Sequence, residues 1–211
     1  MSTLRSTMVE SLAQRGITDP RVLDAFRKVP RELFVPEFLR EQAYSDRPLP
    51  IGAGQTISQP YIVALSVQAL GLQATDRVLE VGTGSGYGAA ILSQLAAPVY
   101  TIERQQLLLE IAQRNLLRAG MDRVRLFLGD GSLGLPEGAP FDAIVVAACA
   151  PNIPTSLLSQ LRPGGRLIIP VGTEEHQHLS RVTRKDHVEF VEEQLCDVLF
   201  VPLVGKQAWS E

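Results

Sequence analysis

The chain has 211 residues, of which 45% are hydrophobic and 20% charged, with a formal net charge of −3. This balance excludes a disordered chain and supplies apolar material for one core of domain size. The acidic balance argues against a protein held on nucleic acid by its overall charge, and no apolar run approaches the roughly 20 residues of a bilayer span.

The N-terminus is amphipathic, carries both signs of charge and lacks an apolar h-region, so a cytoplasmic protein without a signal peptide is expected. Cys149 and Cys196 form no CxxC pair and point to reduced thiols. Leu4, Met8 and Leu12 share one helical face, and Gly16 can end that helix. Asp19-Pro20 reads as an N-cap with a first-turn proline, followed by apolar Val22, Leu23 and Phe26. Pro30 and Pro36 break residues 31–38 into short turns. Residues 45–59, SDRPLPIGAGQTISQ, read as a loop, and a loop that long inside a compact domain tends to be functional. A helix runs from Pro60 with Ile62, Leu65, Ala69 and Leu70 on one face, and Gly71 ends it.

From Asp76 strands and helices alternate. Strands are predicted over 77–81, 99–103, 124–128, 141–147 and 166–171, and helices from the glycine cluster to 95, over 106–119 and over 153–161. The run 141–147 does not alternate, as expected when both faces of a strand are buried. This order implies an α/β fold with a doubly wound, mostly parallel sheet. Residues 179–183 and 188–201 read as strands without helices between them, so the sheet should end antiparallel, in an order left open. Residues 1–58 form an N-terminal helical extension with a candidate active-site loop, and 59–211 a Rossmann-like core with the C-terminal strands, in one compact unit.

Gly82, Gly84, Gly86 and Gly88 follow the first strand directly, where absent side chains let the backbone turn sharply and approach a ligand. The dinucleotide fingerprint GxGxxG needs glycine where Tyr87 stands. Glu103 ends the second strand, where a carboxylate can accept ribose hydroxyls, and Asp130-Gly131 ends the third, where aspartate can accept from an adenine amino group and glycine leaves room for the ring. Each feature also reads blandly, as a tight connection, a surface glutamate and an Asp-Gly turn. Their convergence at the carboxyl ends of consecutive strands points to an adenosine cofactor that needs no phosphate site.

The segments GQTISQP, LEVGTGSGY, TIER, GDG, PFDAIVVAACAP, LRPGGRLIIPVG and FVPLVG, in that order, resemble the protein-L-isoaspartate O-methyltransferases over about residues 29–205. The resemblance implies a class I methyltransferase fold with S-adenosylmethionine as donor and S-adenosylhomocysteine as product. It implies, as acceptor, the α-carboxylate of isoaspartyl residues in damaged proteins and peptides. It places the cofactor on Gly82, Thr83, Gly84, Ser85, Gly86, Glu103, Arg104, Asp130 and Gly131, and the family's active-site serine on Ser58. Ser58 also reads as the N-cap of the helix that begins at Pro60, and both roles stay open. Substrate backbone contacts are expected from the loop with Thr56, Ile57 and Ser58 and from Val171-Gly172. Members often carry tryptophan after GDG, where this chain has Ser132.

A carboxylate is ionised near neutral pH and can take a methyl group without a general base. No metal is expected: His176, His178 and His187 lie in a charge-dense tail segment without three-ligand spacing, and Cys149 reads as a small buried hydrophobe. A monomer is expected. Two other readings are a methyltransferase for a small molecule or RNA, and a non-catalytic cofactor-binding module. Residues 148–152, Ala-Cys-Ala-Pro-Asn, lack the Asn/Asp-Pro-Pro-aromatic clamp of base-amino transferases, and the intact Thr56-Ile57-Ser58 loop argues against the module.

Overall fold

A computed structural model of the protein describes residues 1–210. Helices α1 (Ser2–Gln14) and α2 (Pro20–Lys28) lead into 3-10 turns at Arg31–Leu33 and Glu37–Gln42. The Asp19 carboxylate accepts from the Arg21 amide and Pro20 occupies the first turn, which is why α2 starts there. In α1 the buried face is Met8, Val9 and Leu12, while Leu4 is exposed. Strands β1 (Leu49–Gly52) and β2 (Gln55–Ile57) precede α3 (Pro60–Leu70), which ends on Gly71 in the left-handed region at φ 56°.

The core follows as β3 (Val78–Val81), α4 (Tyr87–Leu92), β4 (Val99–Glu103), α5 (Gln106–Arg118), β5 (Arg125–Leu128), β6 (Phe141–Val146), α6 (Thr155–Ser159) and β7 (Leu161–Gly172). Strands β8 (Gln177–Arg184) and β9 (Phe190–Val198) complete a seven-stranded sheet of order β5-β4-β3-β6-β7-β8-β9. It is parallel from β5 to β7 and antiparallel from β7 to β9. The α/β architecture read from the sequence is therefore present, with the last strands as a sequential meander.

Alternate strand residues build two cores. Val78, Val99, Ala143 and Ile168 face one side, where Met8, Phe26, Val67, Ile91 and Leu108 from α1 to α5 cover them. Leu79, Tyr100, Ile144, Leu167 and Ile169 face the other, covered by Leu157 of α6, Leu135 and the tail residue Leu203. Full burial of one such aliphatic side chain is worth about 1.5–3 kcal/mol, so both layers hold the sheet. The second layer has a single short helix, and the C-terminal segment is part of its cover. Among the described residues, no helix is long and apolar enough to cross a membrane.

Three local expectations are corrected. Residues 45–59 are not all loop: Leu49 pairs with Ile57 and Pro50 with Thr56 in an antiparallel hairpin. Its turn, Gly52-Ala53-Gly54, runs through positive φ at all three residues. Leu49 and Ile51 point inward and Pro50 and Gly52 outward, an alternation hidden among residues that favour loops. The helix expected over 153–161 is only Thr155–Ser159, because Leu161 already pairs with Phe141 as the start of β7. That strand is accordingly longer than the expected 166–171.

Candidate active site

The strand order reverses direction about β3, so the crevice of the sheet opens beyond β3 and β6. Gly82 leaves β3 at φ 91°, and a Cβ built on it would lie 3.5 Å from Cβ of Ala147 at the end of β6. Gly84 and Gly86 also have positive φ, which makes the turn into α4 one that side-chain-bearing residues adopt only with strain. Gly86 serves packing: its Cβ would meet Ala112 and Leu116 of α5 at 3.3 and 3.2 Å.

The cavity in this crevice is lined by Gly82, Thr83, Gly84, Ser85, Glu103, Arg104 and Gly131, all expected from the sequence, and by Thr56, Ile57 and Ser58 of the hairpin segment. Val63, Val67, Val81, Ile102 and Val146 make its wall largely apolar. Gly131 owes its missing side chain to packing, since a Cβ there would lie 2.5 Å from Cγ1 of Val81.

Glu103 is held in place. Its Oε2 accepts from the Gly84 amide and its Oε1 from the Gln105 amide, both at 3.0 Å, leaving lone pairs free on a carboxylate that lines the cavity. Sequence reasoning missed a second acid, Glu80, which interrupts the apolar run of β3 and also lines the cavity. Its Oε2 accepts from Thr101 Oγ1 at 2.6 Å, and the Thr101 hydroxyl lies 2.7 Å from that of Thr83. Burial pushes the Glu80 carboxyl up to about 8; the Thr101 hydrogen bond lowers it part of the way and the charge of Glu103 raises it. A lone acid in a fully buried strand beside the glycine turn was the available signal.

Ser58 follows β2 and lines this cavity and a neighbouring one, whose wall also contains Pro48, Gln59 and Asp197, Val198 and Leu199 at the end of β9. Thr56, Ile62, Ala147, Phe200 and Val201 are likewise common to both. Ser58 is not the cap of α3: the cap position is Gln59, and the Tyr61 amide donates to Asp46 Oδ1 at 3.0 Å. Among the described residues the Ser58 hydroxyl has no hydrogen-bond partner, while the Ser58 carbonyl accepts from Arg31.

Two expected contacts fall elsewhere. Asp130 lines neither cavity. Its Oδ1 accepts from the Ser132 amide and hydroxyl at 2.9 and 2.7 Å, and its Oδ2 from the Lys206 amide at 2.8 Å. Burial raises this carboxyl, but those hydrogen bonds outweigh it and hold it below the usual carboxylate range. Val171 and Gly172 also line neither cavity. Gly172 makes the turn into β8, where a Cβ would lie 2.1 Å from the His176 carbonyl oxygen. The tail segment from Phe200 to Val204 takes that place on the wall.

Ser132 explains how the tail is held without the tryptophan frequent at that position. It is fully buried, and its hydroxyl accepts from the Gln207 amide at 3.0 Å while donating to Asp130. Trp209 Nε1 donates to the Cys149 carbonyl at 3.1 Å, and the Leu203 amide to the same carbonyl at 2.7 Å. Ser132→Ala leaves the Gln207 amide without its acceptor, a loss of about 2 kcal/mol that should lower the midpoint of thermal unfolding by about 5 °C. An unchanged midpoint in differential scanning calorimetry would show that the tail is held without Ser132.

Cys149 is buried, which pushes its thiol up to about 11, away from nucleophile chemistry. Among the described residues no three His, Cys, Asp or Glu side chains come together as a metal site.

A sequence profile of the protein-L-isoaspartate(D-aspartate) O-methyltransferase family matches residues 3–208. The chain is 55% identical over 201 residues to a Pelobacter propionicus protein named protein-L-isoaspartate O-methyltransferase 2, covering 95% of this chain and 89% of that one. It is 54% identical to the protein of the same name from Marinobacter nauticus, over 99% of this chain and 96% of that one. A solved protein-L-isoaspartate O-methyltransferase superposes with a TM-score of 0.86 at 31% identity, over 97% of this chain and 67% of that one. A Plasmodium falciparum structure, described as a β-aspartate methyltransferase in complex with S-adenosylhomocysteine, gives 0.81 at 29% identity, over 94% and 97% of the two chains.

Proposed function

Since this chain belongs to the protein-L-isoaspartate(D-aspartate) O-methyltransferase family, we propose that the two cavities meeting at Ser58 divide the family's reaction between donor and acceptor. The enzyme transfers a methyl group from S-adenosylmethionine to the α-carboxylate of L-isoaspartyl residues in proteins and peptides, which opens their succinimide-mediated repair.

The cavity behind the glycine turn suits that cofactor by its own features. Its turn lacks a Cβ at Gly82, Gly84 and Gly86, the Glu103 carboxylate is pre-oriented by two backbone amides, and its wall is apolar enough for an adenine ring. Glu103 would hold the ribose hydroxyls; Gly82, Thr83, Gly84 and Ser85 would hold the methionine portion; Gly131 would border the adenine, with Arg104 at the rim. Asp130 keeps a positioning part through the tail, whose residues Val201 and Leu203 wall the cavity. When bound, S-adenosylmethionine supplies a methyl carbon on a positively charged sulfur, and the bonding pair stays on sulfur as the carboxylate oxygen takes the methyl.

The acceptor enters by the neighbouring cavity, between the hairpin segment and the end of β9. Its carboxylate is ionised and needs no base, so the protein contributes orientation and exclusion of water, worth about 7–11 kcal/mol in favourable cases. The unpartnered Ser58 hydroxyl, on the boundary between the cavities, is the observation that carries this reading. It donates one hydrogen bond to the incoming carboxylate and aims the other oxygen. Thr56 and Ile57 flank it, and backbone contacts to an extended peptide keep the site tolerant of sequence. Two free cysteines support placement in the reducing cytoplasm, and the net charge of −3 supports a protein substrate over nucleic acid.

The test is methyl transfer to an isoaspartyl peptide and to its normal aspartyl twin. Only the first should be methylated. Ser58→Ala should lower kcat/KM at least about tenfold, with the thermal midpoint unchanged because Ser58 caps no helix. Unchanged transfer by the folded variant would remove Ser58 from the reaction, and binding of cofactor without transfer to either peptide would leave a binding module.

A further inference from the structure

One buried cation has no part in the reaction as described. Arg31 opens the first 3-10 turn and is fully buried. Its Nε donates to the Ala43 carbonyl and its Nη2 to the Ser58 carbonyl, both at 2.8 Å, while its guanidinium carbon lies 4.6 Å from the centre of the Tyr87 ring. Nη1 has no partner. The two carbonyls bracket the segment that contains the β1–β2 hairpin and ends on the proposed active-site serine. Tyr87 is the first residue of α4, directly after the glycine turn, and lines the donor cavity.

We propose that Arg31 is a positioning residue for the methyl acceptor: it closes the neck of the 43–58 segment, fixes the Ser58 backbone and ties that segment to the start of α4. The inference rests on the reading of Ser58 given above. A planar fork of donors with a flat face reaches two carbonyls and lies against a ring at once, a geometry that the point charge of a lysine ammonium does not reproduce. At the hairpin tip Gly52, Ala53 and Gly54 are exposed, whereas Leu49 and Ile57 at its base are buried, so the neck is where the segment is anchored. Asp46 supports the same neck through the Tyr61 amide and the Gln59 side-chain amide, and pairs with Arg15.

The kinetic signature follows from where the ordering cost falls. With the neck loosened, the acceptor must order the segment as it binds, which consumes binding affinity. Once the peptide is bound, Ser58 is back in place and the chemical step is nearly intact. Arg31→Lys should raise the peptide KM at least tenfold while kcat stays within about threefold and the dissociation constant of S-adenosylhomocysteine within about twofold. The affinity of the isoaspartyl peptide for the S-adenosylhomocysteine-loaded enzyme, measured by calorimetry, should fall by the same factor as KM rises. In a Ser58→Ala background Arg31→Lys should add less than a further twofold to KM, because the two residues act through one contact.

Arg31→Gln, which buries no charge, is the second variant and should show the same split. An unchanged peptide KM, full additivity with Ser58→Ala, or a parallel loss of cofactor and peptide affinity would overturn the inference. So would loss of the folded state in both variants, which would make Arg31 a residue of the fold alone. If Ser58→Ala by itself has no effect, the reading of Ser58 fails first; if it has its effect and Arg31→Lys has none, only the present inference fails.

Discussion

Glu103→Ala should weaken binding of S-adenosylhomocysteine at least a hundredfold. The carboxylate is 7% exposed and already accepts from the Gly84 and Gln105 amides, so it stands oriented toward the cavity before any ligand arrives. Two kinds of interaction are lost together. Hydrogen bonds from a ligand to a charged acceptor are worth about 1.5–3 kcal/mol each, and the glycine turn loses the acceptor that fixes Gly84. A net loss of about 3 kcal/mol corresponds to roughly a hundredfold in dissociation constant. Glu103→Gln should recover little of this. Both oxygens face backbone N–H groups, so an amide would turn its own N–H2 toward a donor. Titration calorimetry reads both variants, and a loss below threefold in Glu103→Ala would remove Glu103 from the ribose site.

The place of Glu103 on the cavity wall was legible in the sequence because everything that positions it is local to the β-α-β unit: a strand that ends on it, and a glycine turn one strand away. The same holds for Gly82, Gly84 and Gly86, whose positive φ values the glycine pattern foreshadows. Asp130 shows where such reasoning stops. Its position after β5 marked it as an adenine contact, but it lies off the cavity wall and accepts from the Lys206 amide, 76 positions away, and from Ser132. A contact of that range leaves no local pattern. Val171-Gly172 lies off both cavity walls, which the sequence hides for a related reason, since the apolar end of β7 reads alike whether it faces a cavity or turns into β8. The hairpin of residues 49–57 was hidden by composition: Pro50, Gly52 and Gly54 signal a loop, although the alternation of Leu49 and Ile51 was present. Arg31 carried no signal at all, because a buried arginine and one on a helix surface look the same in sequence.

Glu80→Gln should change how stability depends on pH, by an amount large beside the ordinary margin of a small domain. Unfolded, Glu80 ionises near the ordinary glutamate value of about 4.3. Folded, it is buried beside Thr101 and keeps its proton up to about pH 8. Between those limits the native state binds one proton more than the unfolded state, so the stability of the cofactor-free protein falls as pH rises. Above about 8 both states are ionised and the loss is complete. From pH 5 to pH 8 this one group costs the wild type about 4 kcal/mol relative to the variant, which has no proton to lose. The variant keeps an acceptor for the Thr101 hydroxyl and a side chain of nearly the same volume, so the two proteins should be similar in stability at pH 5 and diverge with increasing pH. Urea unfolding at several pH values measures the difference directly, and parallel profiles would show that Glu80 is ionised in the folded protein throughout. The same protonation couples to the ligand. A cationic guest favours the ionised form of an acid on its cavity wall, so the wild type should release a proton on binding S-adenosylmethionine at pH 7. In calorimetry with two buffers of different ionisation enthalpy, that release should disappear in Glu80→Gln.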